Sequence, residues 1–175
     1  MKRFLGVLLV LGTLALVAPL AHAATSDNAT VTLAASANAA VQVLDPVITL
    51  VPNATDYGND FVEVTGASGL RVRVKTNSTT GMILKIRCPD ATPQIALADL
   101  LVRTQTAAGT GGSTMSTYTA ITALDQNLWS TGVSQGPWAT VTSDVRVQNL
   151  FNYNDAVGGG TTNYSNTLTY TVVAQ

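Results

Sequence analysis

Histidine and cysteine are all but missing from this sequence, which holds one of each in 175 residues. The histidine, His22, falls inside an N-terminal stretch with the marks of an export signal. Lys2 and Arg3 form its charged start, Leu5 to Val17 its apolar run, and Ala21-His22-Ala23 its small-x-small cleavage site. A chain cut after Ala23 keeps no imidazole. Zinc and copper sites need histidine or several cysteines, and a serine triad needs a histidine base, so these chemistries are excluded and no cofactor is expected. Cys88 stands alone and cannot close an internal disulfide. It is either a buried thiol at a strand end or a link between subunits in an oxidising compartment.

Beyond the signal, no apolar run approaches about 18 residues, so no transmembrane segment is expected in the mature chain. No cysteine sits at the cleavage point to take a lipid, and no glutamate follows the apolar run as in type IV prepilins. An excess of positive charge is missing too. Ala24 to Gln175 is 152 residues with seven basic and ten acidic side chains, a net charge of −3, which argues against a nucleic-acid partner. The expected organisation is a signal peptide, 1–23, followed by one domain, 24–175.

What the mature chain does have is alternation. Val31, Leu33, Ala35, Ala37, Ala39, Val41 and Val43 are apolar, while the interleaved Thr32, Ala34, Ser36, Asn38, Ala40 and Gln42 are mostly polar. A period of two marks a strand with one buried face. A strand over about 30–44 is twice the ordinary length, since thirteen residues at about 3.3 Å each reach roughly 43 Å. Either it bends in its Ala/Ser/Asn middle, or part of it pairs outside its own domain. Because alanine is depleted in strands, a helix with Leu33, Ala37, Ala40 and Leu44 on one face is the competing assignment.

A second alternating segment reads as a hairpin. Leu70, Val72, Val74 and Thr76 alternate with Arg71, Arg73 and Lys75, and after Asn77 to Gly81 come Met82, Leu84, Ile86 and Cys88, alternating with Ile83, Lys85 and Arg87. A five-residue loop containing glycine suits a hairpin. That pairing sets Arg73 against Lys85 and Arg71 against Arg87, so five of the seven mature basic residues share one face. Like charges directly opposite are destabilising. Relief comes from acidic neighbours such as Glu63 or Asp144, from a bulge that shifts the register, or from an anionic ligand, which makes Arg71, Arg73, Lys75, Lys85 and Arg87 a candidate anion patch.

Further strands are expected at Phe61–Val64, Tyr118–Leu124, Val141–Phe151 and Asn166–Ala174. Leu44–Pro52 is limited to an edge strand or a bend by its two prolines. Asn53–Asp60 is expected to be a polar turn, Thr92–Leu101 is open between a short helix and a strand, and Trp129 and Trp138 fall in a loop. Seven to nine short strands between turn clusters predict an all-β chain, a single antiparallel β-sandwich of immunoglobulin-like or pilin-like type after a cleaved signal peptide.

Motifs add little chemistry. Gly132-Val133-Ser134-Gln135-Gly136 has the letters of a nucleophile elbow, but neither helix nor histidine accompanies it, so it reads as a turn. The glycine clusters at 109–112 and 158–160 lack the Gly-Lys-Ser/Thr ending of a phosphate loop. Oxygen ligands gather at Asp56 to Asp60 and at Asn152 to Asp155, where solvated turns compete with calcium. No metal site is assigned, and no spacing singles out a glycosidase carboxylate pair. Trp129, Trp138 and Tyr118 either form a sugar-stacking platform or plug the core.

The signal peptide, the Val31–Val43 segment, the Leu70–Cys88 segment and the ending Tyr164-Ser165-Asn166-Thr167-Leu168-Thr169-Tyr170-Thr171-Val172-Val173 together resemble bacterial secreted pilin-like β-sandwich subunits, among them spore-coat-U-like and biofilm matrix fibre proteins. The chain departs from them in its single cysteine and in lacking a penultimate aromatic. The resemblance implies subunits joined by donating a strand to the next sandwich, and Val31–Val43 meets the physical requirements of such a strand. The expected function is an exported, non-enzymatic structural protein of the cell surface or extracellular matrix, self-associating or joined to other surface proteins. The alternative is a monomeric module binding carbohydrate, such as an anionic polysaccharide, or anionic lipid.

Overall fold

Alternation in the sequence becomes strand, but the strands are not joined as their order along the chain suggests. In a computed structural model of the protein, residues 31–107, 115–154 and 163–175 are described. Residues 1–23, expected to be a signal peptide, the glycine clusters at 109–112 and 158–160, and Asp155 lie outside the described residues. The chain divides into two units, Met1–Ala34 and Ala35–Gln175. In the first, Val31–Ala34 form neither helix nor strand, and Val31 and Leu33 are 93% and 88% exposed.

Among its described residues the second unit holds nine strands: β1 (Ala39–Val43), β2 (Phe61–Val64), β3 (Leu70–Thr76), β4 (Met82–Arg87), β5 (Leu100–Ala107), β6 (Thr119–Ala120), β7 (Gln126–Thr131), β8 (Gln135–Gln148) and β9 (Thr169–Ala174). With 44% strand and 9% helix the protein is all-β. The strands form two antiparallel sheets. In the larger, the order is β1-β3-β8-β5-β6, with β2 also on β8; in the smaller it is β7-β4-β9. The long strand β8 organises the first sheet. Its Gln135–Ser143 half pairs with β3, its Val145–Gln148 end pairs with β2, and β5 takes the opposite side.

One core serves both sheets. Val72, Val74, Val102, Val141 and Val145 from the larger sheet and Met82, Leu84, Ile86, Leu128 and Trp129 from the smaller belong to a single buried hydrophobic cluster. Burial stabilises each of these side chains by about 1.5–3 kcal/mol. Alternation follows directly. On β8, Ala139, Val141, Ser143, Val145 and Val147 point inward, while Thr140, Thr142 and Arg146 face out.

The expected hairpin does not form. β3 pairs with β1 and β8, and β4 pairs with β7 and β9, so residues 77–81 carry the chain from one sheet to the other. Gly81 makes this passage possible. It has φ +93°, and a Cβ there would lie 1.8 Å from the Thr131 carbonyl oxygen. The crossing also removes the conflict that a hairpin would create, because Arg73 never faces Lys85 and Arg71 never faces Arg87. Val72, Val74 and Thr76 still share the core with Met82, Leu84 and Ile86, but across two sheets rather than along one.

The long first strand is also shorter than expected. Only Ala39–Val43 pairs, antiparallel to β3, and no helix forms there. Ala35 and Ala37 are exposed and outside the strand. The side chain of Asn77 fixes the approach to β1: its Nδ2 donates to the Ser36 carbonyl at 2.8 Å, and its Oδ1 accepts from the Asn38 amide at 2.6 Å.

Asn53–Asp60, read as a turn, holds a short helix, α1 (Ala54–Asn59). Asn53 and Asp56 close a reciprocal cap, each side chain accepting from the other's backbone amide. The Thr92–Leu101 ambiguity resolves as turns that run into β5 at Leu100. Trp129 and Trp138, placed in a loop by the sequence, lie on β7 and β8.

Candidate functional site

The outward face of the larger sheet carries most of the chain's cations, and strand register sets where each one sits. Across one row stand Gln42 of β1, Arg73 of β3 and Thr140 of β8; adjacent rows hold Ala40 with Lys75, and Arg71 with Thr142. Beyond them on the same face come Glu63 of β2, Arg146 of β8 and Arg103 of β5.

The end of this face near β2 is fully compensated. Arg103 stands opposite Asp144, with Nε 2.7 Å from Oδ2, and the Asp144 side chain is wholly buried. The other Asp144 oxygen accepts from the Gly66 amide at 2.9 Å. That amide lies in a tight turn at Gly66–Ser68, which bulges out between β2 and β3 because five residues, Thr65–Gly69, stand where β8 has Asp144 alone. Arg146 donates through Nε and Nη2 to Glu63 Oε2 at 3.0 and 2.7 Å, and the Tyr118 hydroxyl donates to the same oxygen at 2.7 Å. The Arg146 guanidinium lies 4.0 Å from the ring centres of both Phe61 and Tyr118. Burial raises the Glu63 carboxyl, but the hydrogen bonds from Tyr118 and Arg146 outweigh it and hold the group below its ordinary range. Tyr118 is pushed up to about 12, by burial first and by Glu63 second.

The end near β1 differs. Arg71 is paired, its Nε and Nη2 reaching the two Asp45 oxygens at 2.7 and 2.9 Å, and these bonds hold the Asp45 carboxyl below its usual value. Arg73 donates from Nε to the Gln42 amide oxygen at 2.8 Å. Lys75 makes no ion pair among the described residues. Both cations instead lie over the Trp138 indole, at 4.8 and 4.7 Å from its ring centre. Trp138 remains 38% exposed. Lys75 also forms a wall of a groove of about 320 Å³ whose lining includes Asn38, Ala40, Asn77 and Gly136.

The five-cation patch expected from the sequence is therefore divided. Arg71, Arg73 and Lys75 share the outward face of the larger sheet, while Lys85 and Arg87 lie on β4 in the smaller one, where Arg87 approaches Asp125 at 3.7 Å. Glu63 and Asp144, named as compensating acids, do compensate cations, but these are Arg146 and Arg103. Of the aromatic trio, Trp129 is in the core, Tyr118 is locked to Glu63, and Trp138 is at the surface. Gly132–Ser134 is the turn between β7 and β8. Asp56 and Asp60 belong to the caps of α1, and no cluster of three or more potential metal ligands occurs among the described residues. Cys88 is a buried free thiol whose pKa burial raises.

Trp138 as the partner of Arg73 and Lys75 was not visible in the sequence. Gly136-Pro137 suggested a loop, yet β8 begins at Gln135 because residues 136–138 bulge out opposite Lys75. The one available signal was phase: Trp138 is out of step with Ala139, Val141 and Val145 and so falls on the outward face. No family model matches the sequence, no curated protein matches it, and no solved structure matches the chain.

Proposed function

We propose that this protein is an exported, non-enzymatic structural component of a cell surface or extracellular matrix. Its two sheets would form a pilin-like or immunoglobulin-like β-sandwich, and its copies would associate through the N-terminal segment. The observation that carries this is the state of Val31 and Leu33. They continue the apolar phase of Ala39, Val41 and Val43, yet both are almost fully exposed. An alternating apolar segment left bare at one end of a domain suits addition to the sheet edge of a second copy, where main-chain bonds supply affinity and side-chain pockets supply register.

Among the described residues β9 pairs with β4 alone, so it is an edge strand of the smaller sheet and the candidate receiving edge.

The test is the size distribution of the purified protein by light scattering and negative-stain microscopy. Wild type is expected to form oligomers or filaments that Val31→Asp with Leu33→Asp reduces to monomers, as does removal of residues 24–34, which leaves β1 intact. Wild type that stays monomeric at high concentration, or filaments that survive both changes, would refute the proposal.

A further inference from the structure

We propose that Trp138, Arg73 and Lys75, with the adjoining groove bounded by Asn38 and Gly136, form a binding site for an acidic polysaccharide. A sugar ring lies against the exposed part of the indole, and its carboxylate or sulfate sits between the two cations. This site does not rest on strand donation by Val31 and Leu33.

Three observations converge on it. The first is charge. Arg71, Arg103 and Arg146 already hold carboxylates at 2.7 Å, so an incoming anion would have to displace an internal partner. Among the described residues Arg73 and Lys75 have no carboxylate within 4.0 Å, and they lie side by side on one face, so an anion binds them without breaking an ion pair seen there. With its Nε bonded to Gln42, Arg73 keeps its Nη donors for a planar carboxylate fork, while Lys75 offers a compact second charge.

The second is the aromatic surface. Trp138 is held outward by the bulge at residues 136–138 and braced by both cations, so its position is set before any ligand arrives. Contact with a sugar ring uses the same kind of flat apolar surface that makes tryptophan a frequent anchor at interfaces.

The third is the surroundings. Gln42 and Thr140 flank Arg73, and Asn38 lines the groove beside Lys75. Amide and hydroxyl groups suit the hydroxyls of a sugar chain; they do not suit insertion among acyl chains, which would call for an apolar collar around the indole.

The glycine at the groove supplies a clean test. A Cβ at Gly136 meets no heavy atom within 4 Å, so Gly136→Phe fills the groove without straining the backbone. Purified protein is titrated with polygalacturonate, with dextran sulfate and with neutral dextran at about 50 mM salt, and folding of every variant is checked by circular dichroism. Wild type is expected to bind an acidic glycan and not neutral dextran. Arg73→Gln with Lys75→Gln, Trp138→Ala and Gly136→Phe should each weaken that binding at least tenfold, while Lys85→Gln with Arg87→Gln on the other sheet changes it less than twofold. Binding to polygalacturonate identifies a uronate ligand, and binding to dextran sulfate alone identifies a sulfated one; either supports the site. Equal losses from the two cation pairs, full affinity in Gly136→Phe, equal binding to neutral dextran, or retention on anionic lipid vesicles without glycan binding would each overturn it.

Discussion

Two ends of one sheet face handle positive charge in opposite ways. Near β2, Arg103 and Arg146 are each matched to a carboxylate, their guanidinium groups lie on aromatic rings, and the Gly66 amide in the bulge between β2 and β3 is satisfied by Asp144. Near β1, Arg73 and Lys75 share an indole and have no carboxylate partner among the described residues. Closing every bond at one end leaves nothing for a ligand to take, so that network serves the fold. Leaving two cations uncommitted beside an exposed ring is worth little to the fold, which is why the difference points to binding. The contrast can be broken by mutating each end and measuring stability.

The largest effect is expected at Asp144. Its carboxylate is fully buried and accepts from both Arg103 and Gly66, so Asp144→Ala leaves the Gly66 amide unpaired beneath the bulge. Arg103 is a third exposed and can turn to water, which keeps the loss below that of a wholly buried pair. The expected cost is about 2–4 kcal/mol, a fall in Tm on the order of 5–15 °C. Asp144→Asn keeps an acceptor for Gly66 and should lose about half as much. Thermal unfolding followed by circular dichroism measures both. A change under about 0.5 kcal/mol for the alanine variant would mean that this end does not hold β2 and β3 on β8.

A smaller effect, with a pH signature, is expected at Glu63. Its folded-state pKa lies below the ordinary 4.5, so its stabilisation is complete above that value and is lost as pH falls through the folded pKa. Glu63→Gln should cost about 1 kcal/mol at neutral pH, and the two unfolding curves should converge in acid. Tyr118 gives the opposite sign. Its pKa rises from 10.0 to about 12, by burial first and the bond to Glu63 second, so the stability linked to the protonated hydroxyl is complete below pH 10 and is lost between 10 and 12. Tyr118→Phe should flatten the alkaline loss of stability. Parallel acid profiles for wild type and Glu63→Gln would show that the Arg146 pairing is not linked to folding.

Which parts of this comparison the sequence could disclose depends on how local their causes are. The alternation of Val72 with Val74 and of Met82 with Leu84 is local, and it correctly marks two strands with buried faces. The partners of those strands are not local. Five residues from Asn77 to Gly81 suffice for a hairpin or for a passage between sheets, and the choice depends on β8, some sixty residues further on, occupying the flank of β3. The chain changes sheets again between β4 and β5, β6 and β7, β7 and β8, and β8 and β9, so rules linking loop length to hairpin pairing had few places to apply. Charge pairing suffered likewise: Glu63 and Asp144 could be named as compensating acids, but register alone assigns them to Arg146 and Arg103. In Val31–Val43 only the five residues that lie along β3 became strand, since alternation signals a buried face and cannot say how much partner strand is available.

The smallest stability effect should come from the uncompensated end, and that near-absence of effect is itself informative. Each cation over the Trp138 ring contributes about 0.5–1 kcal/mol at an exposed site. Removing Arg73 or Lys75 also relieves repulsion between two like charges on adjacent outward positions of β3. These terms oppose each other, so Arg73→Gln and Lys75→Gln should each alter unfolding free energy by less than about 0.5 kcal/mol, against about 2–4 kcal/mol for Asp144→Ala on the same face. Denaturant titration at low and at moderate salt separates the contributions, because screening weakens the repulsion between the exposed charges. A loss near 2 kcal/mol from either substitution would make this end a structural clamp like its counterpart, and the distinction between the two ends would fail.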